Sequence, residues 1–97
     1  MDSETVEEGA LTFNAFVISL ASTAAIHFGD VADPVSGAKQ APNLAAASQM
    51  IDILALLEEK TRGNLTAEER TILEQVLYEL RLRFVQLKGG EGRIIRP

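Results

Sequence analysis

No charged residue occurs between Glu8 and Asp30, and this uncharged stretch restricts the folds open to the chain more than any other feature. Its large apolar residues lie on several sides of any helix that it forms: Phe13, Phe16, Val17, Ile18, Leu20, Ile26 and Phe28. A helix that is hydrophobic all round is buried in a large core, in a membrane or against a partner. A chain of 97 residues has little core in which to surround it. The stretch therefore predicts association with another surface.

The first helix is predicted to begin after Thr12, which is a suitable N-cap, and to run to about Phe28. Gly29 fits the position at which helices end in the left-handed conformation. Residues 29–42 are rich in Gly, Pro, Asp and Ser and are predicted to form a connection with turns at Asp33-Pro34 and Ser36-Gly37. A link of this length between helices is often functional or mobile.

A second helix is predicted from Leu44, with Asn43 as its N-cap, to about Arg62, followed by Gly63. Apolar residues spaced three and four apart form its buried stripe: Leu44, Ala47, Met50, Ile51, Leu54 and Leu57. Ile53 and Leu56 widen this stripe. The wider stripe suggests that the helix has more than one neighbour.

Thr66 and Glu69 form a capping-box sequence at the start of a third helix. A heptad-like seam follows at Leu73, Leu77, Leu80, Phe84 and Leu87, and Ile72 and Val76 broaden it. Gly89, Gly90 and Gly92 are predicted to stop the helix. Two charge pairs four residues apart, Glu58 with Arg62 and Glu79 with Arg83, are expected to support the second and third helices.

These patterns predict an all-α fold with a long apolar helix followed by an antiparallel helical hairpin, three helices in all, completed by homodimerisation. The short turn between the second and third helices is the reason to expect a hairpin. One helical domain is expected over residues 12–88, between a flexible acidic N-terminus (1–11) and a flexible basic tail (89–97).

Charge is divided unevenly along the chain, whose net charge is −5. Residues 1–80 hold thirteen acidic and four basic residues, a net of −9, and residues 81–97 hold five basic and one acidic residue, a net of +4. Such a tail can contact nucleic acid or an acidic partner, but it is also the ordinary charge bias of a helix C-terminus, so nucleic acid is not expected as a partner. Acidic residues precede the apolar stretch, which argues against a secretory signal, and a cytoplasmic location is the default expectation.

The apolar first helix admits three environments. Its length suits a membrane span, but polar residues interrupt it and basic flanks are missing; the same lack of basic residues argues against an interfacial helix. The third environment is a second copy of the chain. Small and apolar residues share one face and would allow close approach of two helices: Ala15, Ser19, Ser22 and Ile26. We therefore expect a homodimer and no membrane contact.

No residue pattern predicts catalysis, a metal site or a cofactor. His27 is the single histidine, and although Asp30 and Asp33 lie nearby, a helix-end histidine bonded to a carbonyl of the last turn is the simpler interpretation. The adjacent glutamates point about 100° apart on a helix and do not converge. Tyr78 with Arg81 could belong to a contact face or to an ordinary helix edge.

The helical hairpin and its surroundings resemble the bacterial DUF1844 family over about residues 12–86. The matching segments are Asn43-Leu44, Ile51-Asp52-Ile53-Leu54, the run from Glu59 to Thr66, Glu68-Glu69, and the run from Leu77 to Arg81. The first helix is similar through Phe16–Ala21, followed by His27, Gly29 and an Asp33-Pro34 turn. The resemblance implies a small, soluble, helical protein without family catalytic residues. Some relatives are tied to bacterial signalling, including control of a small Ras-like GTPase.

The sequence thus predicts a non-enzymatic protein–protein interaction module, or regulatory adaptor, with an unidentified protein partner. Its expected partner contacts are Tyr78, Arg81, Asp30 and Asp33, together with the rest of the loop from Asp30 to Pro42 and the basic tail. The alternatives are a regulator that promotes nucleotide exchange on a small Ras-like GTPase and a membrane-associated helical protein.

Overall fold

The computed structural model describes residues 11–93, with side chains through Gly89, and this part of the chain is all-α with no strand. Helix α1 spans Phe13–Phe28, α2 spans Leu44–Lys60 and α3 spans Ala67–Arg93. The predicted acidic N-terminus, apart from Leu11, and residues 94–97 of the predicted tail lie outside the described residues. Within the described part, no helix is long and apolar enough to cross a membrane.

Helix α1 begins and ends where its sequence predicts. The Oγ1 atom of Thr12 accepts a hydrogen bond from the backbone N–H of Ala15 at 3.0 Å, which satisfies one of the free donors of the first turn. Gly29 closes the helix with a φ of 83°, in the left-handed region that favours glycine. The backbone N–H of Gly29 donates to Ile26 O at 2.9 Å.

Helix α2 starts with the predicted N-cap, since Asn43 Oδ1 accepts from the N–H of Ala46 at 3.0 Å. The N–H of Asn43 donates to the carbonyl of His27 at 2.7 Å, so the start of α2 is attached to the end of α1. The helix ends at Lys60, two residues earlier than predicted. Thr61 follows as the C-cap and its hydroxyl donates to Leu57 O at 2.8 Å.

The predicted capping box of α3 is confirmed. Thr66 N–H donates to Glu69 Oε1 at 2.9 Å, and Glu69 N–H donates to Thr66 Oγ1 at 3.1 Å. The predicted end of the helix at Gly89 is wrong, because α3 continues to Arg93. A glycine inside a helix costs roughly 1 kcal/mol relative to alanine but keeps the backbone N–H that a helix needs, so it weakens the helix without stopping it.

The core lies between the three helices, each of which packs against the other two. The centres of the predicted stripes of α2 and α3 are buried, whereas Ile53 (40% exposed) and Leu56 (55% exposed), which were predicted to widen the α2 stripe, lie at the surface. The buried core residues are Val17, Ala24 and Phe28 from α1, Ala47, Met50, Ile51 and Leu54 from α2, and Leu73, Leu77 and Leu80 from α3. Full burial of one such aliphatic or aromatic side chain contributes about 1.5–3 kcal/mol.

Helices α1 and α3 run in the same direction. Ile18, in the first half of α1, lines a groove together with Ile72 and Val76 of α3. Asp30, just beyond the end of α1, contacts Arg83, which lies further along α3. An early position of α1 thus meets an early position of α3, and the end of α1 meets a later position of α3. The N-terminal ends of the two helices therefore lie at the same end of the bundle. The antiparallel hairpin of α2 and α3 stays a prediction.

Candidate interaction surfaces

The outer face of α1 carries the four residues predicted for self-association. Ala15, Ser19 and Ser22 are exposed, and Ile26 is half-buried. Residues three and four apart lie on one side of a helix, so these four form a continuous strip, here called the α1 strip. No charged residue occurs in α1. Self-association through the strip stays a prediction.

Two hydroxyl groups on this side of α1 bond to their own helix. Ser19 Oγ donates to Phe16 O at 2.8 Å, and Thr23 Oγ1 donates to Ser19 O at 3.1 Å. A buried donor without a partner costs about 1–3 kcal/mol, whereas these donors already have partners. A second surface could therefore cover Ser19 and Thr23 without leaving their hydroxyl protons unsatisfied.

A second exposed apolar surface lies on α3. Tyr78 (66% exposed), Leu82 (44%) and Val85 (62%) are spaced four and three residues apart and form the α3 ridge. Arg81, which is also exposed, adjoins it. The structure brings together the two predicted contact residues Tyr78 and Arg81. Sequence analysis missed Leu82 and Val85, although their spacing from Tyr78 is the signal that would have identified them.

The side chain of Asp30 is engaged within the fold. Arg83 Nη2 donates to Asp30 Oδ1 at 2.6 Å, and Arg83 Nε donates to Oδ2 at 2.9 Å. This two-point geometry is the strong form of an arginine–carboxylate pair. The hydrogen bond from Arg83 lowers the pKa of Asp30 below 3.8, and the bond to Asp30 raises the pKa of Arg83. The pair joins the end of α1 to α3, and its carboxylate oxygens are occupied in the isolated chain.

The two charge pairs predicted from the sequence are not observed in the described residues. Arg83 was predicted to pair with Glu79, but it contacts Asp30 and Gln86, while Glu79 accepts a hydrogen bond from Gln75. Among the described residues, the contact between Glu58 and Arg62 is also absent, and the pair observed at a spacing of four is Arg70–Glu74 at 4.0 Å. Surface pairs at this spacing are worth only a few tenths of a kcal/mol, so a better-oriented tertiary partner prevails.

Asp33 organises the loop that joins α1 to α2. Its Oδ1 accepts from the N–H of Val35 at 2.9 Å, and its Oδ2 accepts from Gln40 Nε2 at 3.3 Å. Its backbone N–H donates to Ala38 O at 3.0 Å. This is the local hydrogen-bonding role that aspartate plays in turns. Asp30 and Asp33, both predicted as partner contacts, thus have structural roles within the chain.

Two surface clefts accompany these faces. A cleft of about 310 Å³ lies beside the turn between α2 and α3, where Glu58, Arg62, Arg70 and Glu74 surround Leu73. The groove between α1 and α3 measures about 240 Å³. The mixed charges of the first cleft favour no single ligand class, whereas the second continues the apolar surface of α1 through Ile18.

The described residues contain no cluster of three or more histidine, cysteine, aspartate or glutamate side chains that could hold a metal ion. His27 is half-buried, and its Nδ1 atom has no hydrogen-bond partner within the described part of the chain. The predicted bond from His27 to a carbonyl of the last turn is therefore not observed at Nδ1.

Comparison with known proteins gives one family. The model of the domain of unknown function DUF1844 matches residues 10–86, which is most of the chain and includes all of α1 and α2. No curated protein and no solved structure matches the chain. The resemblance predicted from the hairpin residues is confirmed, and the chain belongs to the DUF1844 family.

Proposed function

We propose that this chain is a non-enzymatic interaction module, an adaptor that binds a protein partner on the α3 ridge and a second copy of itself on the α1 strip. The observation that carries the proposal is the α3 ridge. Three large side chains, Tyr78, Leu82 and Val85, stand exposed on a helix whose opposite face already supplies the core residues Leu77 and Leu80. Exposed apolar patches next to polar side chains are typical of protein interaction sites.

The composition of the ridge fits a protein partner. Tyrosine and arginine are enriched at interfaces, where a rigid aromatic ring fills a pocket and a guanidinium group binds carboxylates. Tyr78 and Arg81 are three residues apart on the same side of α3 and both are exposed. A partner with an apolar pocket beside a carboxylate would satisfy both side chains.

A site-specific photo-crosslinker tests the partner surface. A photoreactive phenylalanine analogue at position 78 is expected to trap a discrete partner in the native host. The same analogue at Glu59, which is exposed on α2, serves as the matched control and should trap none. Leu82→Lys should abolish the product at position 78 while leaving the helical content unchanged. Equal products at both positions, or none at position 78, would contradict the proposal.

The identity of the trapped protein separates the adaptor from the GTPase regulator. If it is a small GTPase, release of a fluorescent guanine nucleotide is measured with and without the purified chain. Faster release would support direct regulation of the GTPase, whereas unchanged release favours the adaptor.

The homodimer part of the proposal rests on the exposed, uncharged strip of α1 and on the internally bonded hydroxyl of Ser19. Light scattering should give twice the chain mass of 10.5 kDa. Ser22→Arg should give monomers, because it places a charge on the strip. Thr71→Arg, at an exposed position of α3, is the control and should stay dimeric. A wild-type chain that is monomeric at all concentrations would refute self-association.

A further inference from the structure

The α3 ridge is the middle of a longer row of exposed residues along one side of α3. Continuing its spacing of four and three residues adds Thr71 and Gln75 before it and Gly89 after it, all of which are exposed. From Thr71 to Gly89 the row is about 27 Å long. It lies on the side of the helix opposite the buried residues Leu73 and Leu80. Alternating spacings of four and three residues are the pattern by which one helix packs along another.

Basic side chains border one flank of the ridge. In heptad terms, Leu82 is an a residue, and Tyr78 and Val85 are d residues. Arg81 and Lys88 then occupy successive g positions, and both are exposed. Side chains at g positions lie beside the apolar contact and form ion pairs with the facing helix. This flank of the ridge therefore favours carboxylates on a helix that lies against it.

The carboxylates near the ridge already have partners within α3. Glu79, on the opposite flank, accepts a hydrogen bond from Gln75 Nε2 through its Oε2 atom at 3.2 Å. Glu74, on the basic flank but one heptad earlier, lies 4.0 Å from Arg70 Nε. The charge that the C-terminal half of the ridge offers to a partner is therefore predominantly positive.

We propose that the α3 ridge binds one amphipathic helix of a different protein, whose apolar stripe packs along Tyr78, Leu82 and Val85 and whose acidic residues face Arg81 and Lys88. This inference rests on the partner surface proposed above and adds the shape and the charge of the bound segment. The holes between side chains of the facing helix supply the apolar pocket that the ridge requires.

A helix suits the ridge better than an extended segment does. Extended segments bind mainly through backbone hydrogen bonds to the edge of a sheet, and the described part of the chain has no strand. Amphipathic helices bind through side chains at i, i+3 or i+4, and i+7, which is the spacing of Tyr78, Leu82 and Val85. Core packing already orders α3, so only the incoming helix loses backbone conformational entropy.

A second copy of this chain suits the ridge poorly. In a parallel pair of α3 helices, g positions meet e positions, so Glu74 would face the second copy's Glu79. In an antiparallel pair, g positions meet g positions, so Arg81 and Lys88 would face the same basic side chains of the second copy. Both arrangements place like charges opposite each other, which selects against self-pairing at this surface.

Photo-crosslinking from two ridge positions measures the shape of the bound segment. Tyr78 and Val85 are about 10.5 Å apart along α3. A photoreactive phenylalanine analogue at each position, with mass spectrometry of the products, should identify two partner residues about seven apart on one apolar stripe. An extended segment would give residues about three apart, because it rises about 3.3 Å per residue.

The outcomes separate this inference from the function on which it rests. A spacing of about three, or contacts scattered over several segments of the partner, would overturn the helix and leave the partner surface standing. A product made of two copies of this chain would overturn the assignment to a different protein. Absence of any product at both positions would refute the proposed partner surface itself.

Charge reversal tests the acidic side of the bound helix, with a fluorescent synthetic peptide of the trapped segment as the probe. Arg81→Glu combined with Lys88→Glu should raise its dissociation constant about tenfold, because attraction at two positions becomes repulsion. Lys39→Glu combined with Lys60→Glu, at exposed positions outside α3, makes the same change in net charge and should have little effect. Lysine in place of the facing acidic residues of the peptide should restore binding to the α3 variant. Equal weakening by both double variants, or no restoration, would overturn the charge assignment.

Discussion

Gly29 ends α1 and also lies in close contact with the loop that leads to α2. Its φ of 83° ends α1, and a Cβ atom added there would lie 2.7 Å from the carbonyl oxygen of Gln40. The loop therefore returns over a position that has no room for a side chain. Gly63 has nearly the same φ, 84°, but a Cβ atom there would meet nothing within 4 Å. Comparing substitutions at Gly29 and Gly63 therefore separates the cost of a positive φ from the cost of a clash with the Gln40 carbonyl.

Gly29→Ala is expected to lower the free energy of unfolding more than Gly63→Ala does. Gly63→Ala should cost about 1–2 kcal/mol, since an L-residue disfavours positive φ by that amount. Gly29→Ala adds a clash with a backbone atom that can be relieved only by moving the loop. Urea unfolding followed by circular dichroism measures both. Equal losses would show that the Gln40 backbone yields without cost.

Helix α3 is an element whose length was underestimated from its sequence. The seam from Leu73 to Leu80 is buried as predicted, and Phe84 and Leu87 pack beside it. Beyond them the helix continues through Gly89 to Arg93, although three glycines lie in that stretch. Gly29 ends α1 and Gly63 lies in the turn after α2, both with positive φ, whereas Gly89 does not have a positive φ. Composition alone does not distinguish these two uses of glycine.

Gly89→Ala should therefore stabilise α3. Alanine favours a helix interior by about 0.5–1 kcal/mol over glycine, and the added methyl group meets no atom within 4 Å. The expected result is a more intense helical signal at 222 nm and a slightly higher melting temperature. Gly37→Ala, at a loop position with a φ of 75°, is the control and should destabilise. A loss of helix in Gly89→Ala would contradict the extended α3.

Across the molecule, the Asp30–Arg83 pair joins residues 53 positions apart and aligns the end of α1 with α3. The pair is also the evidence, with the Ile18 groove, that the two helices run in parallel. Both side chains remain more than one-third exposed, so solvent screening limits the stabilisation to about 1 kcal/mol or less.

Asp30→Asn should lower stability at neutral pH by up to about 1 kcal/mol. Because Arg83 lowers the pKa of Asp30 in the folded state, the contribution is complete above the unfolded value of 3.8. It is lost as the pH falls through the lower folded pKa. Wild type and variant should therefore converge in acid, as measured by urea unfolding from pH 7 to pH 2. Asp52→Asn, exposed on α2, is the control, and a constant difference at all pH values would contradict the ion-pair explanation.

Local signals in the sequence sufficed for the three helices, three of their caps and most of the core. The caps at Thr12, Asn43 and Thr66 depend on side chains that reach backbone groups within three residues, and the buried stripes depend on helical periodicity. Such interactions are formed within one element, so the order of residues is enough to reveal them.

Packing decided the remaining features. Phe16, one of the large apolar residues of the uncharged stretch, is 36% exposed, and the α3 ridge leaves Tyr78, Leu82 and Val85 at the surface. The choice of Asp30 rather than Glu79 as the partner of Arg83, and the direction of α1 relative to α3, also arose only in the folded chain. Burial and ion pairing join elements that are remote along the sequence. The packing of the three helices therefore determines which side of an apolar helix is covered and which distant charges form a pair.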